Sequence, residues 1–237
     1  NKGKAVYVEK PLALDMQSIT DIEESIYRSE NPKLFIGFNR RFSKSAQFIK
    51  QKLINSPANS INLRFSVPPL DSDHWTNIKE IGGGRIVGEA VHGIDLACYL
   101  FDSLPQSISA SAPVDKTNNM VKDNQVFLNI NFANGSHASL QYFSEANQIL
   151  SKERIEVHGE GNSYILEDFK MLRFLEGSQD RSKTFSTGKG HKESLSIFFD
   201  YVRDKSQNPF TWEEIKAVSK AAIIAQDHIN SGQQHNV

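Results

Sequence analysis

Three short segments carry side chains whose types and spacing could do chemistry. The first is Glu9-Lys10-Pro11, directly after the apolar run Ala5–Val8. Strand ends in an α/β sheet are where ligands sit, and Pro11 keeps the backbone extended beyond Lys10. A lysine so placed can donate to a hydroxyl or carbonyl oxygen and carry a proton. Taken alone, the tripeptide also reads as a surface lysine beside a turn. The second segment is the run Gly82–Asp95, GGGRIVGEAVHGID. On a helical wheel Val87, Val91, Ile94, Cys98 and Phe101 form one buried stripe, and Glu89, His92 and Asp95 share the opposite face at three-residue spacing. His92 stands at the centre of that face, and imidazole is the side chain best suited to proton transfer near neutral pH. The glycines let the backbone pass close to a ligand or another strand. Spacing alone fits a solvated polar face equally well. The third segment, Asn39-Arg40-Arg41-Phe42, follows the apolar run Lys33–Phe38. Its amide and guanidinium groups could bind hydroxyls or a phosphate, or lie at the surface.

The surrounding pattern says which elements must position these groups. Residues 5–8 and 33–38 read as strands, and the helix between them runs from an Asp15 N-cap to about Ser29 with Ile19, Ile22 and Ile26 on one stripe. Strand, helix, strand at this length is a βαβ unit with parallel strands, and it looks like the tail of a doubly wound sheet. A helix over 45–53 and a strand over 60–67 follow, then a loop with His74 and Trp75, then the glycine-led helix to Phe101. From residue 107 onward the pattern changes to period-two alternation. Val126, Leu128, Ile130 and Phe132 share one face, Asn134-Gly135 predicts a type I′ hairpin, and Ala138, Leu140 and Tyr142 return on the same face. Further strands are expected over 155–158, 163–167, 171–175 and 183–186, giving an antiparallel sheet with one face to be covered. Two helices close the chain. One spans about 192–204 with Leu195, Phe198, Phe199 and Val202 as its stripe. The other starts at a Thr211/Glu214 capping box and carries Ile215, Val218, Ala222, Ala225 and Ile229.

Composition excludes several classes. With a net charge of −1 the chain has no basic field for nucleic acid or an acidic membrane surface, and no apolar run approaches the roughly 20 residues that span a bilayer. The single cysteine, Cys98, cannot close an internal disulfide, which fits a cytoplasmic location. The histidines lack metal-ligand spacing, so no metal is expected. Neither a Gly-x-Ser-x-Gly elbow nor a Gly-x-Gly-x-x-Gly pyrophosphate cradle is present. The opening Asn-Lys-Gly-Lys, without an initiator Met, suggests the middle of a longer chain.

Taken in order, Glu9-Lys10-Pro11, the Gly37–Phe42 segment GFNRRF and the glycine-rich lead into His92-x-x-Asp95 resemble the glucose–fructose oxidoreductase/inositol dehydrogenase (Gfo/Idh/MocA) family, from about Val6 to the final helix. The resemblance implies an N-terminal Rossmann domain that binds NAD or NADP and ends near Glu9, Lys10 and Pro11, with Lys10 reaching both nicotinamide and substrate. It implies a C-terminal domain built on a large, mostly antiparallel sheet whose open face mediates homo-oligomer formation. It assigns His92 as general acid–base for the substrate hydroxyl, with hydride passing between substrate carbon and nicotinamide. Many members carry an Asp four residues before that His. Here the position is Gly88, with Glu89 beside it, a version similar to a subgroup tied to polysaccharide and nucleotide-sugar metabolism.

The reading is therefore an α+β chain, a large mostly antiparallel sheet with helices on one face, preceded by the residual last βα unit of a Rossmann domain. Residues 1–38 form the dinucleotide-domain piece and 39–237 the substrate-binding and oligomerisation domain. Lys10 and His92 are the expected catalytic pair. Asn39, Arg40, Trp75, Glu89 and Asp95 are expected to orient a sugar or nucleotide-sugar. The parent enzyme is expected to use NAD or NADP, while residues 1–237 by themselves are expected to be inactive and to bind no cofactor. The alternative is a non-catalytic module for sheet-mediated dimerisation or sugar binding.

Overall fold

The computed structural model describes residues 4–30, 32–69, 83–115, 120–121, 125–186 and 188–231. Strands β1 (Val6–Val8) and β2 (Leu34–Ile36) pair in parallel, with Tyr7 opposite Phe35, and helix α1 (Met16–Tyr27) makes the crossover. Asp15 caps α1 by accepting the Ser18 N–H at 2.7 Å. Of the expected stripe only Ile19 is buried. Ile22 and Ile26 instead line an open groove of about 650 Å³ with Val6, Val8, Leu12 and Leu34. After β2 the chain makes one 3₁₀ turn over Asn39–Phe42 and enters α2 (Lys44–Leu53), capped by Ser43.

The principal sheet has eight strands: β3 (Ser60–Ser66), β4 (Pro105–Ser111), β7 (Gln125–Phe132), β8 (His137–Phe143), β9 (Glu153–Gly159), β10 (Asn162–Glu167), β11 (Met171–Glu176) and β12 (Gln179–Thr184). Their spatial order is β12-β11-β10-β9-β3-β8-β7-β4, and every neighbouring pair is antiparallel except β3 with β8. A separate two-residue ladder joins β5 (Val114–Asp115) to β6 (Met120–Val121). Period-two alternation decides which face is covered. Ile61 and Leu63 of β3, Leu128 and Ile130 of β7, and Leu140 of β8 all point inward and are fully buried. Each such side chain contributes roughly 1.5–3 kcal/mol through its removal from water.

The cover is α3 (Val91–Phe101), where ten of eleven residues are buried, Tyr99 being the exception. The polar face expected at His92 and Asp95 is therefore inside the protein, not solvated. Close approach is possible because α3 turns Gly93 to the sheet: a Cβ there would stand 2.2 Å from Leu140 Cδ1 and 3.2 Å from Phe65. Gly93→Ala should cost about 1–3 kcal/mol by overpacking. Urea unfolding checks this, and an unchanged midpoint would show that Leu140 yields without strain.

Two helices complete the covered side: α4 (His191–Val202) and α5 (Trp212–Asn230). The α5 stripe is buried at all five expected positions and packs against β4, α3 and the turn before α3. The α4 stripe differs from expectation: Leu195 and Phe199 are half exposed, and the packed face carries Ser194, Phe198 and Tyr201. The contact is set by Tyr7 and Phe35, whose rings meet Phe198 at 5.3 and 5.6 Å, and by the Tyr7 hydroxyl 3.2 Å from Ser194 Oγ.

Two turns differ in kind. At Asn134-Gly135 only Gly135 has positive φ, and Gly135 N–H donates to Phe132 O, a type I turn followed by an αL glycine in place of type I′. Asn134 is held out of the left-handed region because its Oδ1 accepts the Ser136 N–H and its own N–H donates to Ser103 Oγ. The two-residue turn with positive φ at both positions falls instead at Glu160-Gly161, between β9 and β10. The last strand begins four residues earlier than expected, at Gln179, because Gly177 (φ 58°) turns the chain directly after β11.

Candidate active site

The site is assembled where β1, the 3₁₀ turn, the start of α3 and the loop before α4 converge. β1 ends at Val8, and two residues later Lys10 precedes a cis peptide bond to Pro11. The Lys10 ammonium is mostly buried and donates to Gly88 O at 2.5 Å and Glu89 Oε1 at 2.6 Å. The acceptor carbonyl belongs to a π turn, Ile86–Ala90, in which the Val91 N–H reaches Ile86 O five residues back. Such turns shift the carbonyl register of a helix and gather at functional sites. Here the shift brings Gly88 O and the Glu89 side chain together on the lysine. The turn also breaks the regular helical wheel that placed Glu89, His92 and Asp95 on one face.

His92 lies one turn further on, 4% exposed, with Nδ1 lacking any hydrogen-bond partner among the described residues. Its ring meets Phe38 edge-on at 6.4 Å between centroids. Burial, reinforced by the positive charges of Arg40, Lys10 and Lys189, holds its proton affinity well below the ordinary imidazole value. The imidazole is neutral at pH 7 and able to accept a proton.

The other expected site residues are placed as follows. Glu9 is exposed, with its carboxylate against Gly37, and Pro11 is half-buried. Asn39 Nδ2 donates to Lys189 O at 2.7 Å and lies 3.2 Å from His191 Nε2. Arg40 forks onto Glu153, with Nε to Oε2 at 2.8 Å and Nη2 to Oε1 at 2.9 Å. Asp95, 1% exposed, gives both oxygens to Arg41, at 2.6 and 3.2 Å, and Arg41 also donates to Glu214 Oε1 at 2.8 Å. Lys10, Glu89 and His92 are thus brought together. Asn39 and Arg40 adjoin them but hold other protein groups, and Asp95 is committed to an ion pair away from the lysine. Trp75 lies outside the described residues. The capping box at Thr211 is half made: Thr211 Oγ1 accepts the Glu214 N–H at 3.1 Å, while the Glu214 carboxylate turns to Arg41.

Sequence reasoning missed Glu153, Lys189 and His191. Glu153 sits in phase with Ile155 and Val157 on the covered face of β9, so extending the alternation back two residues would have put a carboxylate inside. The Gly188-Lys189-Gly190-His191 stretch was the available signal for the loop. Gly190 has φ 83°, and a Cβ there would strike the backbone of Asn39, Phe42 and Ser43. Only glycine lets the start of α4 lie against the 3₁₀ turn.

Glu153 also sets an acid limit on stability. Burial by itself would raise its pKa, but Arg40 and Lys189 bring it down to about 2. A folded-state value below the ordinary one stabilises the fold above the unfolded pKa, and the benefit is lost as pH falls through the folded pKa. Glu153 should therefore contribute about 3 kcal/mol that disappears between roughly pH 4.5 and pH 2. Unfolding midpoints measured across that range should fall steeply, and Glu153→Gln should flatten the slope. An unaltered slope in the variant would remove Glu153 from the account.

The chain is similar to known proteins. Residues 57–165 match the GFO/IDH/MocA C-terminal domain family. An inositol 2-dehydrogenase of Rhizobium meliloti is 26% identical over 213 residues, covering 77% of this chain and 62% of that protein. Oxidoreductase P35 of Formosa agariphila is 28% identical over 209 residues, covering 84% of this chain and 53% of its own length. The chain thus spans little more than half the length of these curated relatives. Among solved structures, an aldose-aldose oxidoreductase from Caulobacter crescentus superposes with a TM-score of 0.82 at 15% identity, over 98% of this chain and 71% of that one. That likeness establishes the α+β fold. Residues 57–165 are thus similar to the C-terminal domain of the Gfo/Idh/MocA family.

Among the described residues no helix is long and apolar enough to cross a membrane, and no cluster of His, Cys, Asp and Glu could hold a metal ion.

Proposed function

We propose that this chain is the substrate-binding and catalytic part of an NAD(P)-dependent oxidoreductase acting on a sugar or nucleotide-linked sugar. The observation that carries the proposal is the meeting of the Lys10 ammonium with the turn that leads into a buried, neutral His92, from elements far apart in sequence. In this reading His92 takes the proton from the substrate hydroxyl during oxidation and returns it during reduction. Lys10 has two of its three donors fixed by Gly88 and Glu89. Its remaining N–H would steady the oxygen on which negative charge develops. Glu89 acts as a positioning residue, keeping the lysine aimed.

The orphaned Nδ1 of His92 and the spare donor of Lys10 fit polar ligand atoms, as the nicotinamide end of a dinucleotide and a sugar hydroxyl would supply. Glu9, Lys10 and Pro11 would hold the nicotinamide side, and the cofactor when bound supplies hydride transfer.

Residues 1–38 are read as the end of a dinucleotide-binding domain. The open groove beside β1, and Val6 at 47% exposure, support this. The outer face of the main sheet is read as a homo-oligomer interface, supported by the exposed Phe127, edge-to-face with Phe143 at 5.6 Å between centroids, and by exposed Met171.

The test is nicotinamide reduction by the full-length protein on a panel of sugars, inositols and nucleotide-sugars. Turnover that survives replacement of both Lys10 and His92 would overturn the catalytic reading in favour of a scaffold module.

A further inference from the structure

The charges around His92 do not balance. Lys10, Arg40 and Lys189 are the permanent cations that act on the imidazole, while Glu89 and Glu153 are the carboxylates that pair with them. Glu153 serves two cations at once and is itself buried, so these three cations share two carboxylates through their ion pairs. Lys152 adds further positive potential near Lys189.

Lys189 is where the surplus can act. Arg40 spends its fork on Glu153. Lys189 reaches only one oxygen of the same carboxylate, its sole hydrogen-bond partner among the described residues, so two of its three N–H donors are uncommitted. The ammonium is nevertheless held in place. Asn39 clamps the Lys189 carbonyl, and the left-handed Gly190 fixes the loop against the 3₁₀ turn. Burial pulls its proton affinity down, as expected of an ammonium only partly neutralised. Beside it the orphaned Nδ1 of His92 marks a place for ligand atoms.

We propose that Lys189 is a specificity-determining residue that binds a carboxylate on the sugar substrate, so that the site prefers an acidic sugar to its neutral counterpart. One surplus positive charge matches the single charge of a carboxylate better than the −1.5 to −2 of a phosphate monoester at about pH 7. The proposal rests on reading the His92 site as the sugar site, and the experiment separates the two.

Calorimetric titration of the full chain at low ionic strength compares D-glucuronate, D-glucose 6-phosphate and D-glucose, with the imidazole resonance of His92 followed by NMR. D-glucuronate should bind at least about tenfold more tightly than D-glucose and more tightly than the phosphate ester. Lys189→Met should reduce that preference to within about twofold, and Lys189→Arg should restore most of it. Wild-type affinities for D-glucuronate and D-glucose within about twofold would overturn the proposal whether or not the variants fold, as would tightest binding of the phosphate ester. If D-glucose binds and shifts the His92 resonance without any charge preference, the sugar site stands and the carboxylate subsite falls. If no sugar binds, both fall.

Discussion

His92→Gln in the full-length protein should lower kcat by about 10²–10⁴-fold, with a smaller change in KM. The imidazole is 4% exposed, and burial together with the flanking cations keeps it neutral, so under the proposed function its contribution would be proton transfer more than attraction for the substrate. Glutamine keeps the polarity and much of the volume but cannot exchange a proton. Lys10→Met should fall in the same range by a different route, because it removes the donor aimed at the developing negative charge and also strands Glu89. The two are separable by pH. The wild-type rate should fall on the acid side as His92 protonates, at a pH below the ordinary imidazole range because burial and the neighbouring cations lower its pKa. The His92→Gln residual rate should lose that limb, whereas Lys10→Met should keep it. A His92→Gln enzyme that retains full kcat would exclude the imidazole from proton transfer.

Arg41→Met should be the most damaging single change to stability, at about 3–5 kcal/mol. Arg41 is buried between two carboxylates and stacks over Phe210 at 4.6 Å and Tyr99 at 5.2 Å. Its removal strands Asp95, whose burial already pushes the carboxyl up to about 6 against the pull of the arginine. A folded-state pKa above the ordinary value means that stability is greatest below the unfolded pKa and is lost as pH rises through the folded one. Without Arg41 the folded value rises further, so the variant should be weakest near neutral pH and recover part of its loss by about pH 5. Adding Asp95→Asn should restore most of the deficit, and a double-mutant cycle measures the coupling. Additive single losses would show that Arg41 and Asp95 act independently.

How much of this was legible in the sequence depends on the range of the interaction. Alternation over 126–132 and 138–142 located two core strands, because burial on one face of a sheet is a local pattern. Lys10 and His92 stood out by residue type and by position after a strand and within a helix. The roles of Asn39, Arg40 and Asp95 were hidden, because their partners lie elsewhere in the chain: Lys189 and His191 for Asn39, Glu153 for Arg40, Arg41 for Asp95. A free arginine and a paired one are written alike. The π turn was invisible for a related reason. Nothing in Ile86–Ala90 departs from α-helical patterning, and its register shift is visible only in the backbone bonds. The α4 stripe held at Phe198 but was wrong at Leu195 and Phe199 and missed Ser194, because that face was chosen by Tyr7 and Phe35, far away in sequence.

The double claim on Arg41 has a bearing on biosynthesis. Asp95 follows it by 54 residues and Glu214 by 173. During translation the guanidinium waits through most of the polypeptide for its second counter-ion, and a nascent chain stalled before α5 holds only half of its neutralising shell. Contacts of such long sequence separation form late and slow folding. The Arg41 site is therefore complete only once α5 has left the ribosome.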